Sequence, residues 1–248
     1  KTGDMSMVTF LAGTITDNNW KGEGSITNRN SFSCELSRYW KKGSRILYIV
    51  SDPSDYAGND GALLYYRDSF ERSAFSFSCF DLLDYRYAKD FSFERLSSYD
   101  VIILGSGRVP RQHHFFKELS LHEFFHRNLF HGIVIGISAG ALNCARETYN
   151  WPEEPGDTYV PYHEKFYPGL GLAKSQVLPH FQARHDMYVD GRHLYSDITV
   201  KDSYDHEFLA IPDYSYVVCK NGYEEVYGPH AYYRNGFFYD AFVNRQAA

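Results

Sequence analysis

The chain is sparing with the residues that announce metal, redox or membrane chemistry. Four cysteines occur in 248 residues, Cys34, Cys79, Cys144 and Cys219, and no two form a C-x-x-C pair. That spacing argues against a zinc site or a disulfide framework and makes reduced thiols in a cytoplasmic setting the expectation. No apolar run approaches the ~20 residues of a membrane-spanning helix, and nothing at the start reads as a signal segment, so no membrane partner is expected. Positive charge is also short: 25 Lys and Arg stand against 31 Asp and Glu, a net charge of −6. This argues against a broad nucleic-acid-binding face. The Gly-x-x-x-x-Gly-Lys-Ser/Thr string of a phosphate loop is missing. Internal repeats, low-complexity tracts and obvious linkers are missing too. Aromatic residues are plentiful, at 18%, with 22 Tyr and 19 Phe. A tyrosine-rich surface of this kind is compatible with a homodimer.

Apolar β-branched runs alternate with helical patterns along the first 145 residues. Strands are expected at Met7–Leu11, Arg45–Val50, Phe75–Leu83, Tyr99–Leu104 and Gly132–Ile135. Helices are expected around Ser33–Trp40, over Ala62–Ser73, from about Pro110 to Leu129, and over Ala141–Glu147. This alternation implies an α/β fold with a mostly parallel sheet covered on both faces, in a single domain over residues 1–248. The last third changes character. Phe208–Ile211, Tyr216–Cys219 and Glu224–Tyr227 are short strand candidates split by Pro212-Asp213 and by Asn221-Gly222. Asn-Gly between two such runs signals a hairpin, and an antiparallel extension of the sheet is expected there.

One stretch carries chemistry. Gly136-Ile137-Ser138-Ala139-Gly140 lies between a strand and a helix, the context of a nucleophile elbow. There the sharp turn lifts the Ser138 hydroxyl clear of the sheet, and the amide of Ala139 opens the helix toward a developing oxyanion. A second oxyanion donor is expected from Gly105-Ser106-Gly107, at Gly107 or Ser106, because this turn ends the neighbouring strand. A serine nucleophile needs a base. His180, just past the strand candidate Ser175–Leu178, stands where open α/β sheets carry their sites. Glu153, Glu154 and Asp157, in the acidic stretch after the elbow helix, are candidates for the group that orients the imidazole. An acidic substrate side chain would need cations, for which Arg108, Arg184, His185 and Arg192 are available.

Several of these residues also carry a family resemblance. Gly136-Ile137-Ser138-Ala139-Gly140-Ala141 resembles the Gly-x-Ser-Ala-Gly-Ala elbow of the peptidase E and cyanophycinase family of serine peptidases. Gly169-Leu170-Gly171-Leu172, followed by Pro179-His180-Phe181, is similar to the segment that carries that family's catalytic histidine. Arg184 and Gly191-Arg192 echo its later arginines, Leu104-Gly105-Ser106-Gly107 falls at its Gly-rich oxyanion turn, and Ile211-Pro212-Asp213 with Asn221-Gly222 resembles its ending. The resemblance runs from about Arg45 to Gly228. It implies a flavodoxin-like sheet of the class I glutamine amidotransferase type, with Ser in place of their Cys. It also implies cleavage next to aspartyl residues, α-linked as in peptidase E or β-linked as in cyanophycinase. By position the acidic member of the triad falls near Glu153, with Glu154 and Asp157 open.

Two departures stand out. Gly105-Ser106-Gly107-Arg108 replaces the family's Gly-Gly-Gly-Asn turn, and Tyr162-His163-Glu164-Lys165-Phe166-Tyr167 is inserted before the histidine segment. The expectation is therefore a serine peptidase on short peptides, working through an acyl-enzyme with neither metal nor cofactor. Ser138 would be the nucleophile, His180 the base and Glu153 the orienting acid, with Arg108, Arg184 and Arg192 toward the substrate. The competing readings are a catalytically inactive binding member of the same fold and an esterase or amidase acting on a non-peptide acyl group.

Overall fold

The computed structural model describes residues 6–18 and 20–241. Strands β1 (Val8–Ala12), β2 (Ser44–Ile49), β3 (Phe77–Leu83), β4 (Val101–Leu104) and β5 (Ile133–Ile137) run parallel to one another. β1, β4 and β5 are buried along their whole length, as their unbroken apolar sequences require of strands covered on both faces. Helices α1 (Phe32–Ser37), α2 (Tyr56–Arg72), α3 (Phe93–Ser97), α4 (Val109–Glu118), α5 (Leu121–His126), α6 (Ala139–Asn143) and α7 (Tyr162–Lys165) follow in chain order among the connections. α2 is capped by Asp55, whose carboxylate accepts the Gly58 N–H, and buries Tyr66 and Phe70 in the main core.

After the elbow come β6 (Glu147–Tyr149), β7 (Phe166–Pro168), β8 (Gln176–Leu178), β9 (Tyr188–Val189), β10 (Arg192–His193), β11 (Phe208–Ala210), β12 (Tyr216–Lys220), β13 (Tyr223–Tyr227), β14 (Ala231–Arg234) and β15 (Phe237–Asp240). The seven-stranded main sheet has the order β13-β12-β1-β5-β4-β2-β3, and β12 joins β1 antiparallel. The hairpin between β12 and β13 turns at Asn221 and Gly222, both at positive φ (52° and 76°). Two positive-φ residues are what a two-residue primed turn needs.

Three expectations are corrected. The strand at Phe208–Ile211 does not extend the main sheet. As β11 it pairs parallel with β8 and antiparallel with β14 in a second sheet of order β15-β14-β11-β8. This sheet has its own aromatic core, including Tyr149, Trp151, Phe166, Tyr195, Phe208 and Tyr233. The helix expected from Pro110 to Leu129 breaks into α4 and α5, because Ser120 sits in the left-handed region at φ 52°. The elbow helix begins at Ala139 and ends at Asn143, since the carbonyls of Asn143, Cys144 and Ala145 accept the N–H groups of Leu170, Leu172 and Gly171 instead of those of a further turn. No helix among the described residues is long and apolar enough to cross a membrane. Cys34, Cys79, Cys144 and Cys219 are free thiols, and burial pushes those of Cys144 and Cys219 well up from their ordinary range.

Candidate active site

Ser138 leaves the end of β5 in a conformation that few non-glycine residues adopt, φ 53° and ψ −109°. Three contacts hold it there. Its N–H donates to the Ala12 carbonyl at 2.8 Å, and its own carbonyl accepts from Ala141 and Leu142 at 3.0 and 3.1 Å. The elbow also depends on close backbone approach: a Cβ on Gly140 would lie 2.2 Å from the Leu104 carbonyl oxygen. Backbone strain of this kind at a buried turn is what a nucleophile elbow would require of its serine. With α6 only five residues long, its macrodipole is small, and the Ala139 N–H is one of the first-turn amides without a partner inside the helix.

The turn after β4 lies beside the elbow and is tied down from below. Gln112 donates to the Gly105 carbonyl at 2.7 Å, and Asn143, at the end of α6, donates to Gln112 at 3.0 Å and to the Val109 carbonyl at 3.2 Å. Gln112 and Asn143 are buried, so this network ties the turn after β4 directly to α6. Ser51, just past β2, donates to the Arg108 carbonyl at 3.1 Å. Gly107 takes φ +147° directly over Ser51, and a Cβ there would sit 2.5 Å from the Ser51 side chain. None of Ser51, Gln112 and Asn143 was expected at the site from sequence, where they carry no motif.

His180 reaches the same edge from the second sheet. β8 and β11 run parallel with Leu178 opposite Ala210, so Pro179-His180 and Ile211-Pro212-Asp213 leave that sheet side by side. The Ile211 N–H donates to Leu178 at 3.0 Å and the Phe181 N–H to Ile211 at 3.2 Å, which zips the two exits together. His180, at φ 60°, places Nδ1 2.6 Å from Asp213 Oδ1, both side chains being mostly buried. An ionised carboxylate can only accept, so the imidazole donates from Nδ1 and keeps a lone pair on Nε2. The pair rests on Gly13, where a Cβ would come within 3.0 Å of Asp213 Oδ1 and 3.2 Å of His180 Nδ1. Ala12, which receives the Ser138 N–H, is the preceding residue. Ser138 and the His180–Asp213 pair are therefore both anchored at the end of β1.

Glu153, the expected orienting acid, is turned elsewhere. Its carboxylate meets Arg184 and lies 3.3 Å from Arg108. Asp157 lies 3.2 Å and Glu154 3.5 Å from Arg108. Arg184 packs over Trp151, 5.0 Å from the ring centroid. Arg192 stands apart on β10, over Tyr159, and His185 pairs with Asp186 on the surface. Thus Ser138 and the His180–Asp213 pair are both anchored at the end of β1, the 105–108 turn is tied to α6, Arg108 and Arg184 both meet Glu153, and Arg192 joins none of these. Among the described residues no group of three or more His, Cys, Asp or Glu side chains is arranged to hold a metal ion.

A family model for peptidase family S51 matches residues 66–224, more than half of the chain and the span that carries both Ser138 and His180. The chain belongs to peptidase family S51. It is accordingly a serine hydrolase of the peptidase type. Its fold is similar to that of a peptidase from an acI-B1 Actinobacterium, with a TM-score of 0.65 and 16% identity over 94% of this chain and 93% of that one. It is also similar to a putative peptidase E protein from Listeria monocytogenes EGD-e, with a TM-score of 0.55 and 13% identity over 89% and 97% of the two chains. At these identities the likeness concerns the fold alone. No curated protein matches the chain.

Proposed function

We propose that this S51 peptidase hydrolyses short peptides through an acyl-enzyme, with Ser138 as nucleophile, His180 as base and Asp213 as the acid that orients it. The observation that carries this reading is the 2.6 Å contact between His180 Nδ1 and Asp213 at the strand end that also receives the Ser138 N–H. In the first half-reaction Nε2 of His180 takes the Ser138 proton as Oγ bonds to the scissile carbonyl carbon. The oxyanion is held by the amides of Ala139 and of Gly107 or Ser106. The C–N bond then breaks as His180 returns the proton to the leaving amine. Water, deprotonated by the same imidazole, releases the acyl group and restores Ser138.

Arg108 follows the proposed oxyanion turn, Arg184 lies one turn past His180, and both meet Glu153. They favour a substrate with a carboxylate next to the scissile bond, an aspartyl peptide being the simplest. The test is turnover of Asp-X, β-Asp-X and neutral dipeptides by the wild type and by Ser138→Ala, His180→Ala and Asp213→Asn. Turnover of Asp peptides that Ser138→Ala and His180→Ala abolish is the expected result. Retained turnover in Ser138→Ala sinks the acyl-enzyme route.

A further inference from the structure

Glu153 holds a position that the reaction above does not use. One of its carboxylate oxygens contacts Arg184 and the other lies 3.3 Å from Arg108, so it bridges two guanidiniums from different elements at the site. Trp151 backs Arg184, and Nη1 of Arg184 is buried without a hydrogen-bond partner among the described residues. The loop beneath is fixed independently of that bridge. Asp157 Oδ2 accepts from the Glu153 and Glu154 N–H groups, both at 2.9 Å, while Asp190 holds the Gly156 N–H at 2.8 Å and the Thr158 hydroxyl at 2.6 Å. A rotation of the Glu153 side chain therefore uncovers Arg184 and the Nη1 side of Arg108 with the loop backbone in place, while Nη2 of Arg108 keeps its contacts to Asp157 and Glu154. Charge points the same way. Two guanidiniums face the carboxylates of Glu153, Glu154 and Asp157, which leaves no net positive charge for an incoming anion. A second carboxylate would share the bridge with Glu153 only against like-charge repulsion.

We infer that Glu153 is an internal stand-in for a substrate carboxylate: it occupies the cradle formed by Arg108 and Arg184 in the free enzyme and must be displaced by an acidic substrate. This rests on the acidic-substrate reading given above. Glu153 thereby sets specificity without touching the reacting atoms. It keeps both guanidiniums oriented between turnovers and rejects anions too weakly bound to move it. A neutral side chain leaves the bridge closed.

The experiment compares two dipeptides that differ only in Asp against Asn as first residue, with wild type, Glu153→Gln and Glu153→Ala. Succinate serves as a competitive probe of the cradle. The expected result is a rise of about tenfold in the Asp-over-Asn ratio of kcat/KM in both variants, the scale of a partly desolvated charge contact. The rise should lie mainly in KM, with tighter inhibition by succinate. Far-UV circular dichroism and a cooperative thermal melt report that the variants are folded, independently of turnover. A ratio that stays level or falls, in an enzyme whose wild type prefers the Asp peptide, overturns the stand-in and leaves the acidic preference intact. If no form cleaves the Asp peptide or binds succinate while Ser138-dependent cleavage of the Asn peptide persists, both the stand-in and the acidic preference fall.

Discussion

Asp213 and Glu153 are both mostly buried carboxylates at the edge of the candidate site, yet they sit in opposite electrostatic settings. Asp213 faces one imidazole at 2.6 Å and, among the described residues, accepts nothing from an arginine. Glu153 lies between two guanidiniums that never lose their charge. The role of a carboxylate is set by what it faces. Opposite a neutral imidazole it selects a tautomer and steadies the imidazolium that forms, whereas between two arginines it neutralises and orients.

The sharpest way to break this comparison is to remove each charge while keeping shape. Asp213→Asn is expected to lower kcat by about 10³–10⁴-fold, because the amide allows the wrong tautomer of His180. Glu153→Gln is expected to leave neutral-substrate kcat within about threefold of wild type, as for a partly exposed ion pair. Parallel losses would erase the distinction. Gly13→Ala comes next. Its Cβ would press on both members of the His–Asp pair, and a displacement of a few tenths of an ångström there is expected to cost about tenfold to 10²-fold in kcat with KM little changed. Steady-state kinetics on one substrate reads both effects.

Arg184→Ala removes a guanidinium from Glu153 and its packing on Trp151. A stability loss of about 1–3 kcal/mol in urea titration is expected. The last contrast sets His180 beside a histidine that lacks a carboxylate, and its effect is confined to acid pH. Burial, with Lys117 and His114 nearby, pulls His113 down from 6.5 to about 4. Between those values the unfolded chain binds a proton that the folded chain does not. Its contribution to stability is therefore complete above pH 6.5 and lost as the pH falls toward 4. His113→Leu should flatten that part of the acid limb of a Tm-against-pH curve.

The sequence carried the parallel sheet, the strand–Gly-x-Ser-x-Gly–helix turn and the place of His180 just past a strand plainly, because each is a local pattern of β-branched runs, flanking glycines or a strand end. What it hid is non-local. Asp213 lies within a segment that is conspicuous in the sequence, Ile211-Pro212-Asp213, but its proximity to His180 follows only once β8 and β11 pair. Glu153 is the nearer acid to the elbow along the chain and was the natural choice without that pairing. The second sheet was equally hidden, since β14 and β15 find their partners only after β11 leaves the main sheet. Gln112 and Asn143 have no signature at all, as a buried amide pair shows itself only in three dimensions.

Both Ser138 and His180 are held at positive φ, 53° and 60°. Glycine would occupy either position with less strain, a difference of about 1 kcal/mol at each. Catalytic competence and thermal endurance are thus set against each other at the two residues that the proposed chemistry needs most. A lineage of this fold freed from selection for turnover would gain stability by shedding them, so inactive descendants should outlast the active ancestor on heating.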